Sequence, residues 1–408
     1  MSRRDGKNNR NFNTKLVFLI VIILIGATVL AVSSIGGKSK RSNAQWTFMV
    51  YMAADNDLDY YGYYNIESMK TIGSSSDVNI LVLWDKYDDV ANLYKINTDE
   101  LEIVQGFPLN SIEANMGDPD TLKTFVKYSM RHYRASHNIL VLWDHGDDFL
   151  GCCWDAHPED HLTHQEITQA LSGVHLDIVA FDACLEGMIE VVYEYVWAFS
   201  GPQIDYIVGT EGYVPGWGFP YDTILADLTI DPDMNVFEFS KVIVADYVDY
   251  YENLRPASRL VELASIDMTY VTSIVQQLGD LTDILEGLLE LDNEDTDIYH
   301  ELIATAKGEG NLGWSQYGWE AYIDLPTFVY SLYESLKIPE AITLYETIKT
   351  ALYVETTEPL KSAEGLGIYF PGSYGSFQNN VYWHGDEYLT MQFPHEGWWD
   401  FLQAYWGI

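Results

Sequence analysis

Five apolar runs, each the length of a β-strand, constrain the fold of this chain more than any other feature. They are TFMVYMA (47–53), NILVLWD (79–85), NILVLWD again (138–144), LDIVAFDA (176–183) and DYIVGTE (205–211). The runs are continuous and do not alternate with polar residues, which is typical of parallel strands covered on both faces. Helix-like stretches such as 121–136 and 163–174 separate them. The pattern predicts an α/β fold, a three-layer sandwich with a mostly parallel sheet and right-handed crossovers.

The chain changes in character after about residue 230. Amphipathic patterns at 237–254 and 271–291 predict a helix-rich C-terminal part, residues 231–408. Within it, GLGIYFP (365–371) is expected to return a strand to the sheet. With 45–230 as the α/β core, we expect a single domain over residues 45–408.

The first 44 residues are predicted to lie outside this domain. Basic side chains crowd residues 1–15, and the run from Leu16 to Val32, extended by 33–35, carries no charge. About twenty such residues can cross a ~30 Å hydrocarbon core. We therefore expect a cytoplasmic basic segment (1–15), a transmembrane signal anchor (16–35) and a linker (36–44), with the rest extracytoplasmic. A cleaved signal peptide, leaving a secreted protein, is the alternative, because Val29-Leu30-Ala31 suits a cleavage site.

The charge of the chain is strongly acidic and uneven. Eight of the 22 basic residues but one of the 61 acidic residues lie in the first 43 positions, which leaves 14 basic and 60 acidic side chains beyond them. That net charge of −46 repels nucleic acid and anionic lipid headgroups and attracts cationic peptides or Ca²⁺. Solvation in a salty or calcium-rich exterior explains the bulk of it. The three cysteines allow one disulfide but no disulfide scaffold.

The second copy of LVLWD differs from the first in its next two residues, which are His145-Gly146. In an open parallel sheet, ligands bind at the carboxyl ends of the strands. The next strand along the chain ends in Asp182-Ala183-Cys184 at the same edge. If the two strands are neighbours, His145 and Cys184 face each other across about 5 Å of backbone separation. An imidazole there can take the proton of the thiol, which indicates a Cys-His dyad for acyl transfer.

Backbone and loop residues complete the predicted site. Gly146 lets a substrate carbonyl approach closely, and the N–H groups of Gly146 and Cys184 could form an oxyanion hole. Glu211 and Trp217 are expected to line the same edge, although loop packing explains them equally well. Among alternatives, Cys152-Cys153 offers a rival thiol, in poorer geometry than a cysteine on the neighbouring strand.

Together these stretches resemble the clostripain family of cysteine peptidases, in the wider clan of caspase-, gingipain- and legumain-like folds. The resemblance covers essentially residues 44–408 and rests on WTFMVYMAADNDLD (46–59), LVLWDHGDDFLGCCWD (140–155), LDIVAFDACLEGMIEV (176–191), GTEGYVPGWGFPYDTIL (209–225), GLGIYFP (365–371) and FPHEGWWDFLQAYW (393–406).

The resemblance implies a caspase-like sheet and a cysteine endopeptidase with His145 as base and Cys184 as nucleophile. It also places Asp182 in the pocket for the residue before the scissile bond, which implies cleavage after Arg or Lys. No cofactor is required for the chemistry, and calcium is a structural or activating candidate with unknown ligands. Asp55, Asp57 and Asp59 begin like a calcium loop but lack its Gly and Glu, so a strand-end turn is favoured. We expect peptide or protein substrates, membrane contact through the N-terminal helix, and a monomer.

The chain departs from the family pattern in the segment between the histidine and the cysteine. Relatives are often matured by self-cleavage at a basic residue there, but this chain has no Lys or Arg from 135 to 240. A peptidase specific for basic residues could not cut itself in this segment. We therefore expect activity as a single chain, or processing elsewhere, for example near Lys38–Arg41 or by another protease.

Two interpretations from other classes remain open. The first is an anchored binding protein that keeps the fold without catalysis, its contact surfaces built from 30 Tyr and 12 Trp. The second is a metal-dependent hydrolase using His157, His161 and His164. Their spacing suits zinc ligands on one helix face, but Pro158 interrupts the pattern, which favours a surface loop.

Overall fold

A large mixed sheet forms the centre of the protein. The computed structural model describes residues 43–87, 89–199, 203–254, 260–290, 295–311, 321–357, 363–378 and 385–408. In these residues the strands are β1 (Ala44–Ala54), β2 (Val78–Lys86), β3 (Asn92–Asn97), β4 (Glu100–Ile103), β5 (Ala135–Trp143), β6 (Cys152–Ala156), β7 (Glu159–Leu162), β8 (Leu176–Asp182), β9 (Ile204–Gly209), β10 (Glu262–Asp267), β11 (Tyr322–Asp324), β12 (Leu352–Thr356) and β13 (Gly367–Tyr369).

Nine of these described strands build the central sheet, in the order β12-β10-β9-β8-β5-β1-β2-β3-β4. The five strands from β9 to β2 pair in parallel, whereas β10 and β12 at one edge, and β3 and β4 at the other, are antiparallel. The predicted mostly parallel α/β sheet is therefore confirmed.

The two copies of LVLWD lie on either side of β1 in the same register. Met52 of β1 pairs with Trp84 in β2 and with Trp143 in β5. In both copies the leucines pack into one hydrophobic core and the valine and tryptophan into the other. The pentapeptide is repeated because both strands fill the same layers of the two cores.

Helices cover both faces of the sheet and make the three-layer sandwich. They are α1 (Asp59–Lys70), α2 (Pro119–His132), α3 (His164–Leu171), α4 (Ile189–Phe199), α5 (Tyr221–Ile230), α6 (Val236–Asn253), α7 (Met268–Leu289), α8 (Asp295–Gly310), α9 (Leu325–Leu336), α10 (Pro339–Ala351), α11 (Tyr374–Gln378), α12 (Gly385–Tyr388) and α13 (Trp398–Trp406). Apolar residues of α1, α5 and α6 fill one core, and those of α2, α3, α4 and α7 fill the other.

Local signals in the sequence explain where helices of the core begin. Thr163 caps α3 by accepting a hydrogen bond from the Glu166 N–H, and the Glu166 carboxylate accepts one from the Thr163 N–H in return, which forms a capping box. Asp118 caps α2, where Pro119 occupies the first helical position.

The prediction that residues 365–371 return a strand to the central sheet was wrong. Gly367–Tyr369 forms β13, which pairs with β11 in a separate two-stranded sheet. The C-terminal part adds β10 and β12 to the central sheet instead. These short strands, ELASID and LYVET, lack the long apolar runs that marked the central strands, so the sequence pattern did not reveal them.

The predicted signal anchor at 16–35 lies outside the described residues. Residues 43–408 group as one compact unit. None of the helices that the structure describes has both the length and the apolar character needed to cross a bilayer.

Candidate active site

The ends of β5 and β8 bring the predicted catalytic residues to one pocket. The two strands are parallel neighbours in which Trp143 pairs with Asp182. His145 follows Trp143 by two residues, and Cys184 follows Asp182 by two, so both lie just beyond the same end of the paired strands. They line a pocket of about 180 Å³, together with Leu58 after β1, Asp144, Asp182 and every residue of the 214–218 loop except Trp217. The expected location at the carboxyl edge of the parallel strands agrees with this geometry.

The His145 side chain is held by an aspartate that the sequence pattern assigned to a turn. His145 Nε2 lies 2.8 Å from Asp57 Oδ1. Both side chains are solvent-accessible, with 46% and 84% of their surface exposed. A carboxylate on one imidazole nitrogen fixes the ring orientation and leaves the other nitrogen for proton exchange. The only sequence signal for this role was the acidic stretch DNDLD directly after β1.

The Cys184 thiol is held by the backbone of the opposite loop. Its Sγ accepts a hydrogen bond from the Val214 N–H at 3.3 Å and lies 3.8 Å from the Val214 carbonyl oxygen. Burial raises the pKa of this thiol to about 12, with nearby Glu186, Asp147 and Asp182 adding to the shift and the Val214 N–H opposing it. In this arrangement the thiol is protonated, and within the described residues no hydrogen bond joins it to His145. A proton acceptor must approach the sulfur before it can act as a nucleophile.

Gly146 lies against the backbone of Cys184. A Cβ atom on Gly146 would fall 2.4 Å from the Cys184 carbonyl oxygen and 2.9 Å from the Ala183 Cβ, so any side chain at this position would force the backbone around it to move. Within the part of the chain that the structure describes, neither the Gly146 N–H nor the Cys184 N–H donates a hydrogen bond. Leu185 then turns the chain with a left-handed φ of 60° and donates its N–H to the Gly212 carbonyl oxygen. Backbone N–H donors without protein acceptors are what an oxyanion hole needs.

Asp182 is buried at the base of the pocket and only half of its carboxylate is bound. Oδ2 accepts hydrogen bonds from the Phe219 N–H (3.0 Å) and the Tyr221 hydroxyl (2.8 Å). Oδ1 has no hydrogen-bond partner among the described residues. Burial raises the pKa of Asp182 to about 7, although both donors lower it. Gly218, with φ of 65°, lets the loop pass beside this carboxylate, because a Cβ there would lie 2.7 Å from Oδ2.

A second buried acid, Asp144, lines the same pocket and was not singled out from the sequence. Asn56 Nδ2 donates to its Oδ1 at 2.8 Å, while Oδ2 has no partner in the described residues. Burial raises the pKa of Asp144 well above its usual range. The signal was present in the final letter of the second LVLWD. Two incompletely paired carboxyl groups make this pocket suited to a positively charged group.

The structure does not bring Glu211 to the pocket, contrary to expectation. Its side chain is buried beside Asp324 and Glu262, and burial first, then repulsion by these two acids, raises the pKa of Glu211 well above its usual range. The Glu211 side chain, just after the end of β9, thus lies in the interior near Asp324 of β11. Trp217 lies in the loop that forms the pocket wall, but its ring packs on Tyr60, Tyr61 and Tyr64 of α1 and does not line the pocket.

The rival thiols are buried away from the pocket. Cys152 and Cys153 are fully buried, and burial raises the pKa of both. All three cysteines are free thiols, so the one disulfide that the sequence allowed is not formed. A buried, protonated thiol that no substrate can reach is inert.

The three histidines of the zinc alternative contact three different places. His157 Nδ1 lies 2.9 Å from Asp55 Oδ2, and His161 stacks on Trp154. His164 is fully buried, where its Nε2 donates to the Asp148 carbonyl oxygen at 2.7 Å, and burial lowers its pKa to about 4. The predicted surface loop is a β6–β7 hairpin leading into α3, and the histidines do not converge on one metal position.

A group of acids beside the pocket could hold a metal ion. Four carboxylate oxygens all lie within 4.8 Å of one another, one each from Asp55, Asp85, Glu113 and Asp155. Among the described residues, this is the one cluster of His, Cys, Asp or Glu side chains with such spacing. Asp55 stands at the start of a strand-end turn, as predicted, but its acidic neighbours come from other parts of the chain and not from Asp57 or Asp59.

Comparison with known proteins identifies the relatives of this chain. The sequence profile of the clostripain family, peptidase family C11, matches residues 50–406. Clostripain from Hathewaya histolytica is 31% identical over 231 residues, a match that covers 46% of this chain and 42% of that protein. The match therefore spans less than half the length of this relative.

Solved structures share the fold. One is a secreted C11 cysteine protease from Bacteroides thetaiotaomicron in complex with an irreversible peptide inhibitor. It is 21% identical in sequence and superimposes with a TM-score of 0.65, and the match covers 88% of this chain and 100% of that chain. Another is an inactive zymogen C11 protease from Parabacteroides distasonis, which is 21% identical and has a TM-score of 0.64. This match covers 87% of this chain and 98% of that chain. These likenesses confirm the predicted fold class.

Proposed function

The chain belongs to the clostripain family, and from that premise we propose that it is a cysteine endopeptidase with Cys184 as nucleophile and His145 as general base. One observation carries this proposal: His145, Cys184 and a buried acid, Asp182, line the same pocket at the carboxyl ends of two parallel strands. A thiol, a base and a specificity group within one small pocket are the parts that acyl transfer needs.

The proposed reaction begins with a proton transfer. His145 takes the Cys184 proton, and the thiolate sulfur bonds to the carbon of the scissile carbonyl. The N–H groups of Gly146 and Cys184 stabilise the oxyanion of the tetrahedral intermediate. His145 then gives its proton to the leaving amine as the C–N bond breaks, which leaves a thioacyl enzyme. Water, deprotonated by His145, attacks this thioester, and the sulfur leaves as the thiolate and regains the proton.

Two movements must precede the first step. The thiol leaves the Val214 backbone, and His145 turns its free nitrogen toward the sulfur while Asp57 keeps hold of Nε2. A peptide entering between the 214–218 loop and Cys184 would supply that displacement. This arrangement supports a site at rest that substrate binding completes.

Cleavage after Arg or Lys is the specificity that the pocket supports best. Asp182 and Asp144 each present a buried carboxylate oxygen without a partner among the described residues. A cationic side chain entering the pocket would pair with them and favour their ionised forms. A neutral side chain would leave both unpaired, at a cost of roughly 1–3 kcal/mol for each buried polar group.

The remaining parts of the proposal concern the surroundings of the enzyme. No cofactor takes part in the chemistry, and calcium serves a structural or activating role. The chain works outside the cytoplasm as a monomer, anchored through residues 16–35 or secreted after their removal, with peptides or proteins as substrates. The acidic surface of residues 44–408 and the relatives' exterior location support this placement.

The experiment compares wild-type protein with the Cys184→Ala variant on fluorogenic peptides that differ only in the residue before the scissile bond. We expect cleavage after Arg or Lys that disappears in the variant. A Cys152→Ala variant is the matched control and keeps full activity. Cleavage after other residues would reject the basic pocket and keep the dyad. Full activity of the Cys184→Ala variant would reject the dyad. A folded wild-type protein without activity would favour the binding-protein alternative.

A further inference from the structure

We propose that Asp55, Asp85, Glu113 and Asp155 form a binding site for one divalent cation of the calcium type, and that this ion fixes the strand-end turn that carries Asp57 to His145. The binding site stands on its own geometry, whereas its effect on His145 rests on the proposed function.

The four acids converge from separate parts of the chain. Asp55 comes directly after the last residue of β1, Asp85 lies near the end of β2, Asp155 belongs to the β6–β7 hairpin, and Glu113 comes from the loop between β4 and α2. Their ligand oxygens all lie within 4.8 Å of one another. Oxygens on opposite sides of a calcium ion are about 4.8 Å apart, because each calcium–oxygen distance is about 2.4 Å.

The buried carboxylate of Asp85 indicates a ligand independently of the spacing of the four acids. Its side chain is fully buried, and neither carboxylate oxygen receives a hydrogen bond of normal geometry from the described residues. Asp55 is also buried, and its Oδ1 has no hydrogen-bond partner among the described residues. Burial first, then repulsion by Asp155, Glu113 and Asp55, raises the pKa of Asp85 to about 9, and the neighbouring Lys86 N–H offsets little of this. Buried carboxylates of this kind are ordinarily paired or bound to a metal.

No lysine or arginine among the described residues forms a salt bridge with the three buried members of the cluster. Lys86, the nearest in sequence, directs its Nζ to Asp89 instead. His157 contacts Asp55 at 2.9 Å, but the His157 side chain is 54% exposed, so it can turn away from the cluster into solvent. A bound cation would therefore supply the counter-charge that the ionised forms of these buried acids need.

Asp155 is held in place for an ion by the backbone around it. Its carboxylate accepts the Met116 N–H at 2.6 Å and the His157 N–H at 2.8 Å. These bonds orient the carboxylate and leave lone pairs for an ion.

The chemistry of the donors selects the class of ion. All four are carboxylate oxygens from loop and strand segments, which suits Ca²⁺. Zinc prefers nitrogen and sulfur ligands, and magnesium demands a tighter octahedral shell at about 2.0–2.1 Å. Four acids on one ion leave an excess of negative charge, which favours a strongly attracted hard cation.

The site is coupled to the active site through three consecutive residues. Asp55 belongs to the acid cluster. Asn56 Nδ2 donates to Asp144 Oδ1 and to the Trp154 carbonyl oxygen, and Asp57 contacts His145. The Ala156 N–H also donates to the Asp55 carbonyl oxygen at 2.9 Å. An ion that holds Asp55 against Asp155 therefore holds the turn from which Asp57 orients the base.

The test measures calcium binding by calorimetry and the calcium-induced rise in Tm, on the full chain freed of metal by a chelator. We expect binding by wild-type protein with a Kd below about 1 mM, the weak end of the range for protein calcium sites. Asp85→Asn should bind at least about tenfold more weakly and lose the Tm rise, because it removes one charged ligand. Asp246→Asn is the matched control, because Asp246 is a partly buried acid among Asp222, Asp227 and Asp249 and lies on α6, which carries none of the four ligands. It should keep wild-type calcium binding.

Each result decides one part of the proposal. No calcium binding by wild-type protein, or equal binding by Asp85→Asn, overturns the site. Tight zinc binding without calcium binding overturns the choice of ion. Calcium binding that leaves peptide cleavage unchanged overturns the coupling to His145. Because binding and Tm need no substrate, a protein that binds calcium but cleaves no peptide refutes the proposed function and leaves the site standing.

Discussion

The carboxylate of Asp57 lies 2.8 Å from Nε2 of His145 and joins the turn after β1 to the strand end that carries the proposed base. Because both side chains are exposed, this contact is worth roughly 0.2–1 kcal/mol. Asp57→Asn should therefore lower kcat by about two- to fivefold and leave KM unchanged. Steady-state kinetics on one peptide measures it, with Asp120→Asn, an exposed acid of α2, as the control. An unchanged kcat would show that Asp57 does not position His145.

Gly146→Ala should lower kcat for peptide cleavage by about 10²–10³-fold in a protein that still folds. The added methyl group would fall 2.4 Å from the Cys184 carbonyl oxygen, so the backbone of the proposed oxyanion hole must move. Removal of one oxyanion donor typically costs about 10²–10³ in kcat. The matched control is Gly287→Ala in α7, where a Cβ meets nothing within 4 Å. Circular dichroism reports folding, and wild-type kcat in a folded Gly146→Ala protein would remove Gly146 from the site.

Asp182→Asn should change specificity more than it changes catalysis. Loss of the buried charge should lower kcat/KM for Arg and Lys peptides by about 10²-fold or more, because a buried charge pair that loses one partner costs roughly 3–5 kcal/mol. Peptides with a neutral residue in that position should lose little. A uniform loss for all peptides would mean that Asp182 serves structure and not substrate selection.

The same carboxyl group predicts a pH effect in wild-type protein. The pKa of Asp182 in the free pocket is about 7, raised by burial, so its charge develops as the pH rises through that value. KM for an Arg peptide should fall between about pH 6 and 8, more steeply than KM for a neutral peptide. The Asp182→Asn variant is the control in which this difference disappears.

Buried acids also set the direction in which pH changes stability. Burial raises the pKa of Asp182 to about 7 and of Asp85 to about 9, while an unfolded Asp titrates near 3.9. Between those values the folded protein holds protons that the unfolded chain has released, so the free energy of unfolding falls as the pH rises. In a chelating buffer, Tm should fall by several degrees from about pH 5 to about pH 8. Asp85→Asn should flatten this fall, and a rising Tm would contradict the account.

Much of the fold could be predicted from the sequence because the central strands are covered on both faces. Continuous apolar runs marked β1, β2, β5, β8 and β9, and the His-Gly and Asp-Ala-Cys endings placed His145 and Cys184 at one edge. The edge strands β4 and β12 were not predicted, because they are short and their pairing depends on tertiary contacts.

Side-chain directions at the site could not be predicted in the same way. Whether Glu211 enters the pocket or turns inward toward Asp324 depends on one residue of strand alternation at the end of β9. Asp57 and Asp144 gain their roles from contacts between segments 88 positions apart in the chain. The sequence marks such residues as acidic, but it does not show which of them meet.

The identity of the nucleophile is the central claim, and covalent labelling tests it most directly. An irreversible peptidyl ketone with Arg before its electrophile is incubated with the protein, and mass spectrometry of the digested product locates the modified cysteine. The account predicts one label, on Cys184, that is prevented by an excess of Arg peptide. Labelling of Cys152 or Cys153 in folded protein, or labelling of Cys184 that an Arg peptide does not slow, would contradict it.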